Sequence, residues 1–321
     1  MSEFADELTH LVRDLAKGAG PVPDGQLSEL WPKVQELGLA GIGIAEDAGG
    51  SGGELTDLLL VIRELARAGI DTPIVEAATA AFVTGPAGDG RFDTVVTSVG
   101  TGLGVVTFAP SARRAVVVGA SDVAVFELAE ADIEPLVDIA GRPAGRVRLN
   151  GAPCTHPAVL PDAVMERLAL ARSASLIGGS WGAYDLTKRY VVERHQFGAP
   201  LIKISAVSTN LAHMIVGIRT AESALRRAIA VSSDPGATEL RRFGAVASAR
   251  VAAAQCATAV ARTAHQLHGA VGITTEYGLH SYTRALWAQR DADESELRWC
   301  GRLGAAALTV DENDFWDQLS A

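Results

Sequence analysis

Apolar residues recur at helical spacing in three stretches near the start of the chain. Residues 5–18 carry leucines three and four positions apart, and residues 27–38 show similar spacing up to a glycine. A third amphipathic stretch, residues 56–68, follows the sequence GGSGG at residues 49–53. These patterns predict an N-terminal helical domain over residues 1–85.

The helical periodicity ends near residue 86. The runs RAVVVGA, DVAVFELA and GRVRLNGAP are rich in β-branched residues, and glycine, proline or aspartate separates them. Short apolar runs between turn-forming residues are typical of strands joined by tight turns. We therefore predict a small antiparallel β domain over residues 86–157.

Longer helical patterns fill the chain after residue 158, and short turns with glycine or proline separate them. This arrangement predicts a C-terminal four-helix bundle over residues 158–310, followed by an acidic tail over residues 311–321. The whole chain is thus predicted to be mainly α with a small, reduced β domain. The helices expected from the periodicity are one of about 33 residues from Asp162, one over residues 205–232, one over residues 237–268 and one from residue 278.

Composition and charge narrow the classes of function. The 321-residue chain has a formal net charge of −10 and no basic cluster, so binding to nucleic acid or to an anionic membrane is not expected. Three cysteines without CxxC spacing signal neither a disulfide framework nor a zinc site. The start lacks a secretory signal, and no segment offers about 18 uninterrupted apolar residues. We expect a cytoplasmic protein without a metal site.

The turn after the first long helix is the first candidate for chemistry. Arg194, Gln196 and Phe197 place a guanidinium, an amide and an aromatic ring within four residues. A guanidinium can bind a phosphate through two hydrogen bonds, and a ring can stack on a nucleobase, so this trio suits a dinucleotide cofactor. The alternative is that the arginine caps the helix and the phenylalanine packs in the core.

The sequence GGSGG at residues 49–53 is a second candidate. A glycine-rich loop ahead of a helix can bind a phosphate through its backbone N–H groups. The loop lacks the lysine of a P-loop and the strand–GxGxxG–helix spacing of a dinucleotide-binding turn. A turn that merely joins two helices is the alternative.

Four motifs, in this order along the chain, resemble those of the acyl-CoA dehydrogenase family. WPKVQELGLAGIGIAEDAGGSGGELTDLLLVIRELARAG is similar to the N-terminal pattern of that family, and GRVRLNGAP is similar to the end of its β domain. Tyr190 with RHQFG at residues 194–198 is close to Y-x-x-x-R-x-Q-F-G. QLHGAVGITTEY at residues 266–277 resembles Q-x-x-G-G-x-G-x-x-x-E. The four motifs span nearly the whole chain.

The resemblance implies an FAD-dependent enzyme that introduces an α,β double bond into an acyl-CoA thioester and passes electrons to an electron-transfer flavoprotein. It implies that Arg194, Gln196 and Phe197 contact the diphosphate and adenosine of an FAD held by a neighbouring subunit. Gln266 and Gly269 would line the same ADP half. A cofactor at a subunit interface implies a homo-oligomer or a hetero-oligomer with a related subunit.

The family's catalytic base is a glutamate, which removes the α-proton of the thioester. A gapless count from Gly269 places Asp293 at the position of that glutamate, and a shift of one residue places Glu294 there. In a second subclass the base lies on the first helix of the bundle, where the count gives Leu168. Glu166 lies two residues away and therefore on the opposite face. The resemblance thus implies Asp293 or Glu294 as the base, and the absence of a base in this chain stays open.

Departures from the family pattern define two hypotheses. The second glycine of the fourth motif is Ala270, Ser205 replaces a cofactor-binding glutamine, and the β domain lacks the motifs that contact the flavin ring. The first hypothesis is an acyl-CoA dehydrogenase in its own right, active in lipid or steroid catabolism. The alternative is a non-catalytic partner subunit of a heteromeric acyl-CoA dehydrogenase, similar to degenerate subunits of actinobacterial steroid side-chain degradation.

Overall fold

The structure, a computed structural model, describes residues 4–320 except residues 21, 89 and 98–103. The last of these ranges belongs to the predicted β domain and lies outside the described residues. The α-helices of the described residues are α1 (Ala5–Ala16), α2 (Trp31–Glu36), α3 (Leu55–Arg67), α4 (Ile74–Thr84), α5 (Pro161–Glu193), α6 (Ser205–Ser232), α7 (Glu239–His268), α8 (Leu279–Asp291), α9 (Glu296–Ala307) and α10 (Glu312–Ser320). The strands are β1 (Thr94–Thr97), β2 (Val105–Thr107), β3 (Arg114–Val118), β4 (Val123–Glu127), β5 (Asp132–Val137), β6 (Pro143–Arg148), β7 (His195–Gln196) and β8 (Ala199–Pro200).

The chain forms two compact units. One comprises the residues up to Leu65 together with Ile70–Ala171, and the other comprises Ala66–Gly69 together with the residues from Arg172 onwards. The predicted fold class is confirmed: N-terminal helices, a small β region and a C-terminal helical domain follow one another along the chain. The predicted domain boundaries near residues 85, 157 and 310 stay predictions.

The long helices lie where the periodicity placed them, whereas two N-terminal helices differ from prediction. α2 covers only part of the stretch 27–38 because Pro32 lies in its first turn and Ser28 accepts the Leu30 amide ahead of it, at 3.3 Å. α4 was not predicted. Its residues 74–81 are all buried, so its sequence shows no amphipathic period.

In the described part of the β region, the strands form two three-stranded sheets. β3 lies between β1 and β4 in one sheet, and β6 lies between β2 and β5 in the other. Every pairing in these sheets is antiparallel, as predicted, except that β1 and β3 run parallel. Both sheets contribute to one apolar cluster, with Ala115 and Val117 from the first and Val106 and Val147 from the second.

Glycines let the later part of α5 pack closely on its neighbours. A Cβ on Gly179 would lie 3.0 Å from Leu286 of α8. A Cβ on Gly182 would lie 2.6 Å from the carbonyl oxygen of Arg67 and would overlap the ring of Tyr282. Real Cβ atoms do not approach backbone atoms as closely as at Gly182, so that contact requires glycine, whereas a Cβ at Gly179 would require the Leu286 side chain to shift.

α7 is the most extensively packed helix of the second unit, since it contacts α6, α8, α9 and α10. By length and composition alone, the segment Glu239–Ile273 would suffice to cross a membrane. However, 61% of its most apolar window is buried inside the protein, as in the core helix of a bundle.

Candidate functional site

The predicted cofactor turn is the tip of a two-stranded hairpin that directly follows α5. β7 pairs with β8, which leaves Phe197 and Gly198 as a two-residue loop. Their φ angles are +53° and +81°. Positive φ at both loop residues is typical of a type I′ turn, which favours asparagine and glycine. The phenylalanine therefore occupies a conformation that is unfavourable for its type.

The side chains of this hairpin turn (Arg194–Gly198) face solvent. Phe197 is 92% exposed, so it does not pack in the core of the chain. Arg194 and Gln196 are also exposed, and no described residue forms a hydrogen bond with either side chain. The turn thus presents a cation, an amide and a ring that the described part of this chain does not use.

Gly269 closes the C-terminal end of α7. Its φ and ψ angles are +60° and −140°, a combination that is accessible to glycine and disfavoured for other residues. Apart from its chain neighbours, no described residue would have an atom within 4 Å of a Cβ at this position, and Gln266 is exposed one turn earlier. The fourth motif therefore forms an open helix end where a ligand can approach the backbone.

An aromatic cluster joins the hairpin turn to this helix end. The ring of Tyr190, at the end of α5, stacks on His268 with centroids 4.5 Å apart, and its hydroxyl donates to the His268 carbonyl at 3.3 Å. Tyr277 packs edge-on against both rings. The structure thus brings the predicted cofactor residues of the third and fourth motifs to one end of the helical unit.

His268 is buried within this cluster. Its Nδ1 lies 2.8 Å from the carbonyl oxygen of Ala264, while its Nε2 has no hydrogen-bond partner among the described residues. Burial lowers the pKa of His268, and the hydrogen bond to Ala264 offsets part of this effect. His268 is therefore held neutral, with Nδ1 as the donor.

The neighbouring His265 does not form a metal site with His268. Its Nε2 lies 3.0 Å from the hydroxyl of Thr283, and its ring stacks on Trp287. Across the described ranges, no group of three histidine, cysteine, aspartate or glutamate residues is arranged to bind a metal ion.

The first candidate base, Asp293, lies in the loop between α8 and α9 with φ +62°. Arg172 donates from Nε to Asp293 Oδ2 at 2.7 Å, and their side chains are 3% and 12% exposed. Arg172 also donates from Nη1 to Gln289 Oε1 at 2.6 Å. Asp293 is therefore the counter-ion of a buried arginine, and its carboxylate is engaged before any substrate binds.

The second candidate base, Glu294, is also ion-paired. Its Oε2 accepts from Arg302 Nη1 at 2.9 Å, and Arg298 lies 3.8 Å from Oε1. The glutamate side chain is 13% exposed. The Arg302 guanidinium in turn lies over the rings of Phe243 and Trp299, and its side chain is 36% exposed.

Arg250 forms hydrogen bonds with the backbone where α8 ends and the same loop begins. This arginine was not identified from the sequence. It is 1% exposed, and its Nη2 donates to the carbonyl oxygens of Gln289, Arg290 and Ala292 at 3.3, 2.8 and 3.4 Å. These bonds cap the end of α8. Burial lowers the pKa of Arg250 to about 10. An arginine on an alanine-rich helix gives no sequence signal for this role.

The remaining candidates lie in the first unit. In the GGSGG loop, the N–H groups of Gly50, Ser51 and Gly52 donate to carbonyls at residues 45, 41 and 44. A phosphate would need such donors to be free, so the loop is a hydrogen-bonded turn, as the alternative interpretation held. Glu166 is half-buried on α5, and Leu168 is fully buried.

Comparison with known proteins agrees with these features. Residues 2–87 match the model of the acyl-CoA dehydrogenase N-terminal domain, and residues 162–290 match that of the acyl-CoA dehydrogenase C-terminal domain. Among curated relatives, the acyl-CoA dehydrogenase IpdE2 of Mycobacterium tuberculosis is 26% identical over 319 residues, which cover 94% of both chains.

Solved structures share the fold. A variant of the steroid ACAD Tcur3481-Tcur3483 superposes with a TM-score of 0.83 at 23% identity, covering 94% of this chain and 97% of its own. The ChsE4-ChsE5 complex of Mycobacterium tuberculosis gives 0.80 at 21% identity, covering 97% and 99%. Two family models that together span more than half of the chain, with the fold and the four motifs in order, show that this protein belongs to the acyl-CoA dehydrogenase family.

Proposed function

We propose that this chain is the partner subunit of a heteromeric acyl-CoA dehydrogenase, where it completes an interface FAD site and a companion subunit supplies the base. The observation that carries the proposal is the engagement of both candidate carboxylates in ion pairs, Asp293 with Arg172 and Glu294 with Arg302. A general base must reach the proton that it removes within hydrogen-bonding distance. A carboxylate already bonded to a packed arginine is poorly placed for that task.

The residues at the exposed end of the helical unit suit the ADP half of FAD. Arg194 offers a guanidinium without a partner in the described chain, which would bind the diphosphate. Phe197 offers an exposed ring for the adenine. Gln196, Gln266 and the open backbone at Gly269 would line the same half. When bound, FAD supplies the acceptor for the hydride that leaves the acyl group.

The fully exposed position of these residues supports an FAD that is seated mainly on another subunit. Side chains that held a cofactor within one chain would be partly covered by that chain, whereas Phe197 is 92% exposed. Two of the structural neighbours, Tcur3481-Tcur3483 and ChsE4-ChsE5, carry two chain names each. Their likeness supports a hetero-oligomer with a related subunit.

The second candidate function is a complete FAD-dependent acyl-CoA dehydrogenase that uses Asp293 or Glu294 as its own base. One observation favours it: Asp293 has φ +62°, and unfavourable backbone conformations cluster at active sites. In either role, we propose an acyl-CoA substrate in lipid or steroid catabolism, an electron-transfer flavoprotein as acceptor and a cytoplasmic location.

Co-expression separates the two candidates. The chain is purified alone and with a related family member encoded nearby, and flavin absorbance and acyl-CoA-dependent dye reduction are recorded. We expect flavin and activity only in the co-purified complex, and we expect D293N and E294Q to retain activity wherever the complex stays folded. Flavin-loaded, active protein from this chain alone, inactivated by D293N without loss of folding, would establish the second candidate instead.

A further inference from the structure

Arg167 differs from the other buried arginines of the described chain in what surrounds it. Arg142 is bonded to Asp71, Arg172 is bonded to Asp293, and Arg250 caps three carbonyls close to Asp293. Arg167 is 7% exposed, and no carboxylate of the described residues forms an ion pair with it. Burial alone lowers its pKa to about 10. A buried cation without a counter-ion is unfavourable for folding.

The contacts of Arg167 leave most of its donors unused. Its Nη2 donates to the Ile42 carbonyl at 3.2 Å, and its guanidinium carbon lies 5.0 Å from the centroid of the Phe82 ring. Its Nε is buried and has no hydrogen-bond partner among the described residues. A guanidinium has five N–H donors in a planar arrangement, so its free edge can bind an acceptor with two oxygens.

The backbone around this guanidinium is shaped by a glycine. Gly43 has φ +76°, and a Cβ there would lie 3.2 Å from the Leu55 amide and 3.4 Å from Arg167 Nη2. The nearby N-terminus of α3 does not provide the anion site, since the carboxylate of Asp57 already accepts the Glu54 amide at 2.9 Å. The unused donors are therefore those of Arg167 itself.

We infer that Arg167 binds a carboxylate that comes from outside the chain. A carboxylate fits because it is a planar monoanion that matches one guanidinium edge, whereas a phosphate dianion would need further cationic or N–H donors. Phe82 is 37% exposed and covers one side of the guanidinium, so the ligand enters along an apolar wall. The carboxylate is either a free small acid or the end of an acyl group opposite its CoA thioester, and only this second source rests on the proposed function.

The test uses the full chain, together with its companion subunit where the two co-purify. Thermal unfolding and calorimetric binding are measured with four probes: glutarate, glutaryl-CoA, valeramide and valeryl-CoA. The last two have a similar chain length and lack the free carboxylate. Arg167→Met keeps an unbranched apolar stem and removes the guanidinium and its charge, and Arg13→Met, at an exposed position, is the matched control.

We expect the carboxylate probes to raise the midpoint of thermal unfolding by about 2 °C or more in the unmodified chain and in R13M. In R167M the affinity for them should fall at least about tenfold. Stabilisation by glutarate indicates a free acid, and stabilisation by glutaryl-CoA but not glutarate indicates the acyl group. If glutarate binds while no CoA thioester does, the carboxylate site stands and the acyl-CoA function is in question.

A second measurement separates a binding role from a structural one. Without ligand, R167M should unfold at the same temperature as the unmodified chain or at a higher one, since it removes an uncompensated buried charge. A lower midpoint would show that Arg167 stabilises the fold through Ile42 and would overturn the inference. Equal effects of the probes on R167M and the unmodified chain, or no effect on either, would also overturn it.

Discussion

The hairpin turn after α5 and the loop between α8 and α9 belong to the same helical unit, but their side chains differ in exposure and in bonding. In the hairpin turn, Arg194 and Phe197 are exposed, and no described residue hydrogen-bonds to the arginine side chain. In the loop, Asp293 and Glu294 are largely covered, and both are ion-paired. The hairpin turn leaves its guanidinium and its ring accessible from outside, whereas the loop uses its two carboxylates for ion pairs within the chain.

This difference indicates which part of the family's chemistry the chain can supply. Binding the ADP half of a cofactor needs free donors and an accessible ring, and the hairpin turn has both. Proton abstraction needs a free carboxylate that points at a substrate, whereas both carboxylates of the loop are ion-paired with arginines. Under the proposed function, this unit therefore contributes cofactor binding without catalysis, and four predictions test that proposal.

The largest effect is expected from Asp293→Asn. The substitution removes the carboxylate charge that pairs with Arg172, which is 3% exposed, so the free energy of unfolding should fall by about 3 kcal/mol. Chemical denaturation monitored by circular dichroism measures it. Asp291→Asn is the control, because its partner Arg290 and the aspartate itself are more exposed, and a change within about 0.5 kcal/mol is expected. A folded D293N with unchanged stability and no activity would point to a catalytic aspartate.

The next effect concerns flavin. Arg194→Gln should weaken FAD binding by the complex about tenfold to a hundredfold, because a hydrogen-bonded contact to a charged phosphate is lost. Fluorescence titration of the apo-complex with FAD measures the affinity, and the stability of the chain should not change. Arg226→Gln, an exposed arginine on α6, is expected to bind FAD normally. Equal affinities for both variants would remove Arg194 from the cofactor site.

The stability contributed by the aromatic cluster between the third and fourth motifs should depend on pH. Because burial lowers the pKa of His268 in the folded chain, the unfolded chain binds the proton more readily. Stability contributed by His268 is therefore complete above about pH 6.5 and is lost as the pH falls below it, by at most about 1.4 kcal/mol per pH unit.

Denaturation series between pH 5 and pH 8 measure this dependence. His268→Phe keeps an aromatic ring beside Tyr190 and should flatten part of it. His265, whose pKa burial also lowers, should contribute to the remainder. An unchanged pH profile in the variant would contradict the neutral state of His268.

The smallest effect is expected from Phe197→Asn, which should raise the stability of the chain and lower its affinity for FAD. Asparagine tolerates the φ of +53° better than phenylalanine, so the free energy of unfolding should rise by about 0.5 kcal/mol. FAD affinity should fall, since the stacking ring is lost. Phe197→Trp keeps a ring and should retain the flavin. If asparagine improved stability and left FAD binding intact, the ring would have no part in the cofactor site.

Periodicity along the chain predicted much of the fold. The predicted helix of about 33 residues is α5 (33 residues), and the stretch 205–232 is α6. α4 was not predicted because a helix that is buried on every side has no polar face, and its sequence therefore shows no amphipathic period. The parallel pairing of β1 with β3 was not predicted either, because strands that are not adjacent along the chain pair through contacts that no local sequence pattern encodes.

The candidate site likewise has one part that could be predicted from the sequence and one part that could not. Arg194, Gln196 and Phe197 are adjacent in sequence, so a motif could find them, and the structure places them on one exposed turn. The state of Asp293 could not be predicted. Its partner Arg172 lies 121 residues away along the chain. The sequence around Asp293 contains no signal for the ion pair or for the burial of the arginine.

The ion pair between Arg172 and Asp293 also limits how this chain could acquire a working base. Lengthening the carboxylate with Asp293→Glu leaves the arginine in place to engage it, and removing the arginine first takes the ion-pair partner away from an acid in a covered loop. Two changes are therefore needed before a carboxylate is free at this position, and loss of the arginine alone passes through a less stable intermediate. For a subunit whose companion already performs the proton abstraction, selection gives no reason to cross that barrier, so the division of labour is easier to enter than to leave.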